Sequence, residues 1–196
     1  MAVTWPDHLL TLHEWTALPP DSNHHVELVD GALLVTPRPA ALQQRAMTRL
    51  ATSIEDQLPS GLCTVADAEV VITPADLDDA TDSIIPATVR VPDVVVVASA
   101  LLADNPARLP AAEILLAVEI ISPGTRTTDR VTKLVEYADA GISAYWLIDL
   151  DPPAPSLTAY ILVDGDYEVV ADGSGTVELE SPFPLQVKLD ELIRLH

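Results

Sequence analysis

Two acidic residues occupy positions where the surrounding sequence predicts burial. Glu119 lies inside the apolar run Ile114–Ile121, and Asp93 follows Pro92 directly before the valine run Val94–Val97. An ionised carboxylate in a strand that is buried on both faces costs several kcal/mol unless a partner compensates its charge. Two such placements suggest one shared partner, most simply a divalent cation. The sequence therefore predicts a metal-centred site built on Asp93 and Glu119.

Length and composition favour one compact domain that spans residues 1–196. The chain has 196 residues, of which 48% are apolar, enough for a substantial core. The apolar stretches are too short to span a membrane as helices, and the N-terminal segment lacks the pattern of a signal peptide. Cys63 is the single cysteine, which excludes an intrachain disulfide. We therefore expect a protein of the reducing cytoplasm, without a membrane partner.

The charge balance limits the classes of partner. Asp and Glu total 30 against 10 Lys and Arg, a formal net charge of −20. Proteins that hold nucleic acid by its phosphates normally present a basic stripe, so the charge argues against tight, sequence-independent binding. A small substrate, a local basic mouth or a metal that supplies positive charge remains compatible with it.

The hydrophobic pattern predicts alternating strands and helices with short connections. Helices are expected at residues 11–17, 40–58, 128–140 and 187–195, and strands at 26–29, 32–36, 62–73, 91–98, 114–121, 142–150, 156–163 and 167–171. Asp30–Gly31 and Asp164–Gly165 are strong hairpin signals, residues 172–175 predict a further turn, and residues 76–82 predict a solvated acidic loop. The expected fold class is α/β (α+β), a mixed sheet flanked by helices with extra hairpins.

Several of these segments, in this order, resemble the Uma2 family of restriction-endonuclease-like proteins. The resemblance extends from about Glu14 to Tyr167. The segments that carry it are Glu27–Gly31, Val91–Val94, Val118–Arg126, Asp129–Arg130 with Lys133 and Tyr137, and Gly141 with Tyr145–Asp149. Each piece alone is weak, whereas the ordered set is specific for a fold.

The resemblance implies the PD-(D/E)xK nuclease fold and a set of site residues. It assigns Asp93 and Glu119 as the metal-binding carboxylates, Glu27 as an accessory acid at the metal, and Lys133 as the catalytic lysine. The sequence departs from the standard nuclease motif, because the residue two positions after Glu119 is Ile121 and not lysine. A lysine on the following helix would have to reach the same site.

The implied chemistry is metal-assisted hydrolysis of DNA phosphodiester bonds. Two carboxylates at adjacent strand ends can hold Mg²⁺ or Mn²⁺ and leave coordination positions for water and phosphate. The metal lowers the pKa of its water, and a nearby lysine favours hydroxide or holds the phosphate. Arg126 and Arg130 are the best local candidates for phosphate contacts, although they could equally neutralise the acidic surface.

Lys133 has a structural alternative. On a helical wheel it lies nearly opposite the apolar stripe, and Asp129 precedes it by one turn. The stripe consists of Val131, Leu134, Val135 and Ala138. This arrangement is typical of a solvent-facing ion pair between residues i and i+4. Glu27 could likewise lie on an exposed hairpin face, and Asp93 could serve a turn.

The remaining candidates favour structural roles. His24 and His25 suggest a loop pair, and Ser122 suggests a turn or a helix cap, because no triad pattern or nucleophile elbow accompanies it. Tyr145 and Trp146 are expected in the core or at a dimer interface. We expect a homodimer, the commonest soluble oligomer. The alternative function is a non-catalytic binding or regulatory module of the same fold, whose acidic surface engages a basic protein partner.

Overall fold

The computed structural model describes residues 6–18, 25–36, 38–72, 85–121, 128–151 and 153–195. The helices are α1 (Leu12–Ala17), α2 (Ala41–Glu55), α3 (Lys133–Asp139) and α4 (Leu189–Ile193). The strands are β1 (His25–Val29), β2 (Ala32–Thr36), β3 (Leu62–Ala66), β4 (Val70–Val71), β5 (Val89–Arg90), β6 (Val94–Ala98), β7 (Leu109–Pro110), β8 (Leu116–Ile121), β9 (Ala144–Asp149), β10 (Ser156–Val163), β11 (Asp166–Ser174), β12 (Thr176–Leu179) and β13 (Leu185–Lys188). Short 3₁₀ segments cover Ser99–Asp104 and Ala111–Glu113, and a π-helical turn, Thr128–Thr132, leads into α3.

Among the described residues, the strands form two larger sheets and one hairpin. The large sheet has the order β11-β10-β9-β8-β6-β3, and the small sheet has the order β2-β1-β5-β4-β7. The pair β12–β13 is separate and antiparallel. In the large sheet β8 and β9 are parallel, whereas its other neighbours are antiparallel. The large sheet is therefore mixed, as the sequence predicted.

Alternating side chains of the large sheet bury two opposite faces. Leu116, Val118 and Ile120 of β8 pack into an apolar cluster with α2, α4 and the β12–β13 hairpin. Ala117 and Ile121 point to the other face, where they pack with Tyr137 of α3. Because the side chains of a strand alternate with a period of two residues, Glu119 belongs to the α3 face.

The connection between β8 and β9 determines where the first turn of α3 lies. Adjacent parallel strands require a crossover, and here the crossover contains the π-turn and α3. A crossover leaves from the C-terminal end of its first strand. The start of the helical segment, with Asp129 and Lys133, is therefore brought close to Glu119 near the end of β8.

Most predicted elements are confirmed, and several are corrected. The predicted strand at 62–73 is broken into β3 and β4, which belong to different sheets, because Asp67 between them takes a left-handed conformation with φ of 54°. The predicted terminal helix at 187–195 begins as β13, and only Leu189–Ile193 is helical. The strands β5, β7 and β12 were not predicted, and β11 continues through most of the predicted turn at 172–175.

The acidic loop predicted at residues 76–82 lies outside the described residues. The mixed α/β fold class is confirmed. Within the described part of the chain, no helix has both the length and the apolar character needed to cross a membrane.

The hairpin turn between β1 and β2 generates a stability prediction. Gly31 has φ of +78°, and a Cβ atom there would lie 2.8 Å from the backbone nitrogen of Leu10 and 2.9 Å from Cβ of Pro86. We expect Gly31→Ala to lower the free energy of unfolding by about 2–4 kcal/mol, because backbone strain and overpacking add. Gly165→Ala is the matched control, since Gly165 also has positive φ but open space around it. Urea unfolding curves of both variants would contradict this account if the losses were equal.

Candidate active site

Glu119 is buried and accepts hydrogen bonds from two residues of α3. Its Oε1 lies 2.8 Å from Nζ of Lys133 and 2.9 Å from the hydroxyl of Tyr137. Only 5% of Glu119 is exposed. The nearest protein partner of this buried carboxylate is therefore a lysine, and the divalent cation shared with Asp93 stays a prediction.

Lys133 is the centre of a buried cluster of carboxylates. Besides Glu119, its Nζ lies 3.3 Å from Oε1 of Glu27 and 3.5 Å from Oδ1 of Asp129. Only 4% of Lys133 is exposed, so the interpretation as a solvent-facing lysine is wrong. The valines of the supposed core stripe point outward instead, with Val131 59% and Val135 56% exposed.

Asp129 and Lys133 share the inner face of the helical segment because residues four apart lie on one side of a helix. The segment begins with the π-turn Thr128–Thr132 and continues as α3. Asp129 and Tyr137, on either side of Lys133 in the chain, are both buried, and the Tyr145 hydroxyl donates to the backbone carbonyl of Asp129 at 3.0 Å. The polar residues of this segment therefore face the sheet.

Asp93 joins the site from the antiparallel neighbour of β8. It directly precedes β6, and its Oδ2 accepts a hydrogen bond of 2.6 Å from the backbone nitrogen of Ile120. By strand alternation, Asp93 belongs to the same face as Val95 and Val97, which is the α3 face. The structure thus brings Asp93 and Glu119 to one side of one sheet, and Asp93 is only partly exposed.

Glu27 is held by Arg90 and does not lie on an exposed hairpin face. It is 3% exposed, and its Oε2 accepts from Nη1 of Arg90 at 2.9 Å while its Oε1 accepts from the backbone nitrogen of Val91 at 3.0 Å. Arg90 also forms a forked ion pair with Glu136 of α3, through Nε and Nη2 at 2.7 Å each. The exposed-face alternative for Glu27 is therefore wrong.

The sequence interpretation missed Arg90, Glu136 and the role of Tyr137 as a hydrogen-bond donor. A signal for Arg90 was present, since it interrupts the run Ala87–Val91 as Glu119 interrupts its own strand. Gln43 was also missed. Gln43 is in α2, and its side-chain amide donates to the backbone carbonyl of Ile120 at 2.7 Å.

The protonation equilibria of the site follow from burial and from the excess of carboxylates. Burial raises the pKa of Asp93 to about 6, although the hydrogen bond from Ile120 and the charge of Lys133 oppose the shift. Burial likewise raises the pKa of Glu119, against the attraction of Lys133. Burial works against the charged form of Glu27, but Lys133 and Arg90 outweigh it and hold its pKa below the usual value. Burial also opposes the charged form of Lys133, yet the surrounding carboxylates prevail and raise its pKa, so this lysine is an ammonium.

The oxygen ligands of the site suit a hard divalent cation better than a soft metal that prefers sulfur ligands. Asp93 and Glu119 offer carboxylate oxygens, which suit Mg²⁺ and Mn²⁺. Over the described ranges, no group of three or more His, Cys, Asp and Glu side chains is arranged to hold an ion. Protein ligands beyond a carboxylate pair are not required for Mg²⁺, which commonly keeps several waters.

The other predicted candidates are dispersed. Arg130 is exposed and pairs with Asp149 at 3.1 Å, at the sheet edge where β8 and β9 end. His25 is in β1 and pairs with Asp67 at 3.3 Å, so it is not part of a loop pair. Tyr145 and Trp146 are buried in the core. Arg126, Ser122 and His24 lie outside the described residues.

Comparisons with known proteins identify the family and the fold. The family model Uma2, described as "Putative restriction endonuclease", matches residues 11–191. Among solved structures, the chain is similar to a "putative nuclease belonging to DUF820" from Anabaena variabilis ATCC 29413, with a TM-score of 0.68 and 18% sequence identity. That match covers 94% of this chain and 97% of the other, and it shows the fold. No curated protein gives a significant match to this sequence.

The raised pKa of Asp93 predicts how the metal-free protein responds to pH. The folded state binds more protons than the unfolded state between the ordinary value of 3.8 and about 6, so its stability falls as the pH rises through this window. Asp93→Asn removes the charge and keeps an oxygen that can accept from Ile120. We expect this variant to exceed the wild type by about 1–2 kcal/mol near pH 7.5 and to match it near pH 4.

Urea unfolding in the presence of a chelator measures this difference. The matched control is Asp104→Asn, which makes the same substitution at an exposed position. A gain for Asp93→Asn that was equal at both pH values would show that the carboxylate charge is not the cause.

Proposed function

Because this chain belongs to the Uma2 family, whose model matches residues 11–191, we propose that it is a metal-dependent endonuclease that hydrolyses DNA phosphodiester bonds. Family membership supports a nuclease, and the metal, the substrate and the residue roles are our proposal. The observation that carries it is the 2.8 Å contact between Nζ of Lys133 and Glu119, on the sheet face that also holds Asp93. The contact joins the lysine to one of the two acids, and the backbone nitrogen of Ile120, the neighbour of Glu119, binds the other acid, Asp93.

The position of Lys133 accounts for the absence of a lysine two residues after Glu119. Ile121, two residues after Glu119, faces the same side of β8 and is packed in the apolar cluster. A lysine at position 121 of β8 would have extended from this same face of the strand. Lys133 approaches the same carboxylate from α3, so the ammonium group is supplied by the helix while the strand position remains apolar.

Asp93 and Glu119 would hold Mg²⁺ or Mn²⁺. Among the described residues, both donors to Glu119 bind Oε1, and the backbone donor to Asp93 binds Oδ2. The second oxygen of each carboxylate is therefore available to a cation. When bound, the cation lowers the pKa of a coordinated water and neutralises charge on the phosphoryl oxygens.

The other residues of the cluster support this pair. Tyr137 fixes the orientation of Glu119 through its hydrogen bond, and Lys133 offers a positive charge for the phosphate or the developing hydroxide. Glu27 was proposed as an additional metal ligand from the family resemblance. Its contacts with Arg90, Val91 and Lys133 support a role in holding Lys133 instead.

The proposed substrate is DNA that approaches from the end of β8 and β9. Arg130 lies at this sheet edge, and Arg126 belongs to the same connection, so both remain candidates for phosphate contacts. The net charge of −20 favours weak non-specific affinity, with recognition concentrated at the site. A homodimer and a cytoplasmic location stay predictions.

Cleavage of DNA tests the proposal. Purified protein is incubated with supercoiled, linear and single-stranded DNA in Mn²⁺ or Mg²⁺, beside Glu119→Gln and Lys133→Met. We expect each substitution to reduce the cleavage rate by about 100-fold or more, because each removes charge stabilisation from the reacting phosphate. Calorimetric titration with Mn²⁺ should show binding lost in Glu119→Gln and retained in Lys133→Met.

Lys188→Met is the matched control, since it removes the other lysine of the chain at an exposed position. It should cleave like the wild type. Folded wild-type protein that binds Mn²⁺ but cleaves none of the substrates would contradict the proposed activity and favour the non-catalytic binding module. Cleavage that survives in both site variants would place the activity elsewhere, including in a contaminating nuclease.

A further inference from the structure

Arg90 links three elements around the cluster without contacting Glu119. Its guanidinium binds Glu27 of β1 through Nη1 and Glu136 of α3 through Nε and Nη2. Arg90 itself is in β5 and is 1% exposed. Arg90 therefore joins the small sheet to the helix that carries Lys133 through buried ion pairs.

Lys133 has competing partners. Glu119 is nearest at 2.8 Å, Glu27 follows at 3.3 Å, and Asp129 of the preceding turn lies at 3.5 Å. Since an ammonium is a compact charge on a flexible stem, its position is decided by the relative pull of the carboxylates around it. A carboxylate that is already neutralised by another cation exerts less pull. Glu27 meets this condition, because Arg90 binds its Oε2 and the backbone nitrogen of Val91 binds its Oε1.

We infer that Arg90 is a positioning residue that selects the partner of Lys133. By neutralising Glu27 and Glu136, it leaves Glu119 as the strongest attraction for the ammonium. Without Arg90, Glu27 becomes an uncompensated buried carboxylate and draws Lys133 away from Glu119. The consequence for catalysis rests on the proposed function, whereas the choice of partner does not.

The geometry requires arginine at this position. The planar guanidinium places two N–H groups on Glu136 and a third on Glu27, at distances of 2.7 to 2.9 Å. A lysine has one ammonium on a flexible chain and cannot reproduce this fork. Glu136 follows Lys133 by three residues in the same helix, so the fork also fixes the rotation of α3 and the direction from which Lys133 enters the site.

Kinetics of Arg90→Gln test the inference. We expect kcat to fall about tenfold or more with KM and Mn²⁺ affinity unchanged, because the metal ligands remain and only the lysine is displaced. Arg90→Gln/Glu27→Gln should recover most of the lost kcat, since the rival carboxylate is then neutral. Arg108→Gln, which removes another arginine paired with a glutamate, is the matched control and should behave like the wild type.

Should Arg90→Gln not fold, Arg90→Lys retains the buried positive charge and is expected to show the same loss in kcat, because its ammonium cannot hold both glutamates. Two results would overturn the inference. One is an Arg90 variant, folded by circular dichroism, with the kcat of the wild type. The other is a double variant as slow as Arg90→Gln.

A spectroscopic measurement separates this inference from the proposed activity. The chain contains two lysines, Lys133 and Lys188, so protein labelled with ¹³C-lysine gives two resolved side-chain environments, and Lys188→Arg assigns them. In the metal-free wild type, Glu119→Gln should shift the Lys133 signal more than Glu27→Gln does. In the Arg90→Gln background this order should reverse. An unchanged order would refute the positioning role even in an active nuclease, and a reversal would support it even if no DNA were cleaved.

Discussion

The burial of the Lys133 ammonium among carboxylates is the interaction on which the site depends. One lysine lies within 3.5 Å of Glu119, Glu27 and Asp129 and is almost closed to water. Removing one member of such a buried set is costly, because the remaining charges lose both water and partner. The strands that carry the acids and the helix that carries the lysine are therefore energetically coupled.

This coupling explains why α3 presents apolar residues to solvent. Exposing both valines forgoes roughly 3–4 kcal/mol of burial. Turning Lys133 outward would leave more than one buried carboxylate without its cation, and each uncompensated charge costs about 3–5 kcal/mol. Lys133 and Tyr137 of α3 accordingly face inward, while Val131 of the preceding π-turn and Val135 of α3 remain outside. For this segment the charges of the facing strand, and not its own hydrophobic pattern, determine the buried face.

The same comparison shows what the sequence could predict. A charge inside an apolar strand is a local signal, and it made Glu119 and Asp93 the predicted site residues. The hydrophobic pattern, also local, predicted most elements of the fold. The face of α3 is not a local property, because it depends on the carboxylate that Glu119 presents from a strand 14 residues away. Arg90 carried the same local signal as Glu119, but its partners lie 63 and 46 residues distant in sequence, so its role emerged only from the folded structure.

Placing the lysine on a helix changes what controls the geometry of the site. A lysine two residues after Glu119 would be fixed by the strand itself, whereas Lys133 depends on how α3 docks against the sheet. That docking is secured by the Arg90 fork on one side and by aromatic contacts on the other, where the rings of Tyr137 and Tyr145 meet edge to face at 5.2 Å. Tyr145 belongs to β9, the strand that follows the crossover. The relation between acid and lysine is therefore a property of tertiary packing, and residues without any contact to the reacting atoms can govern it.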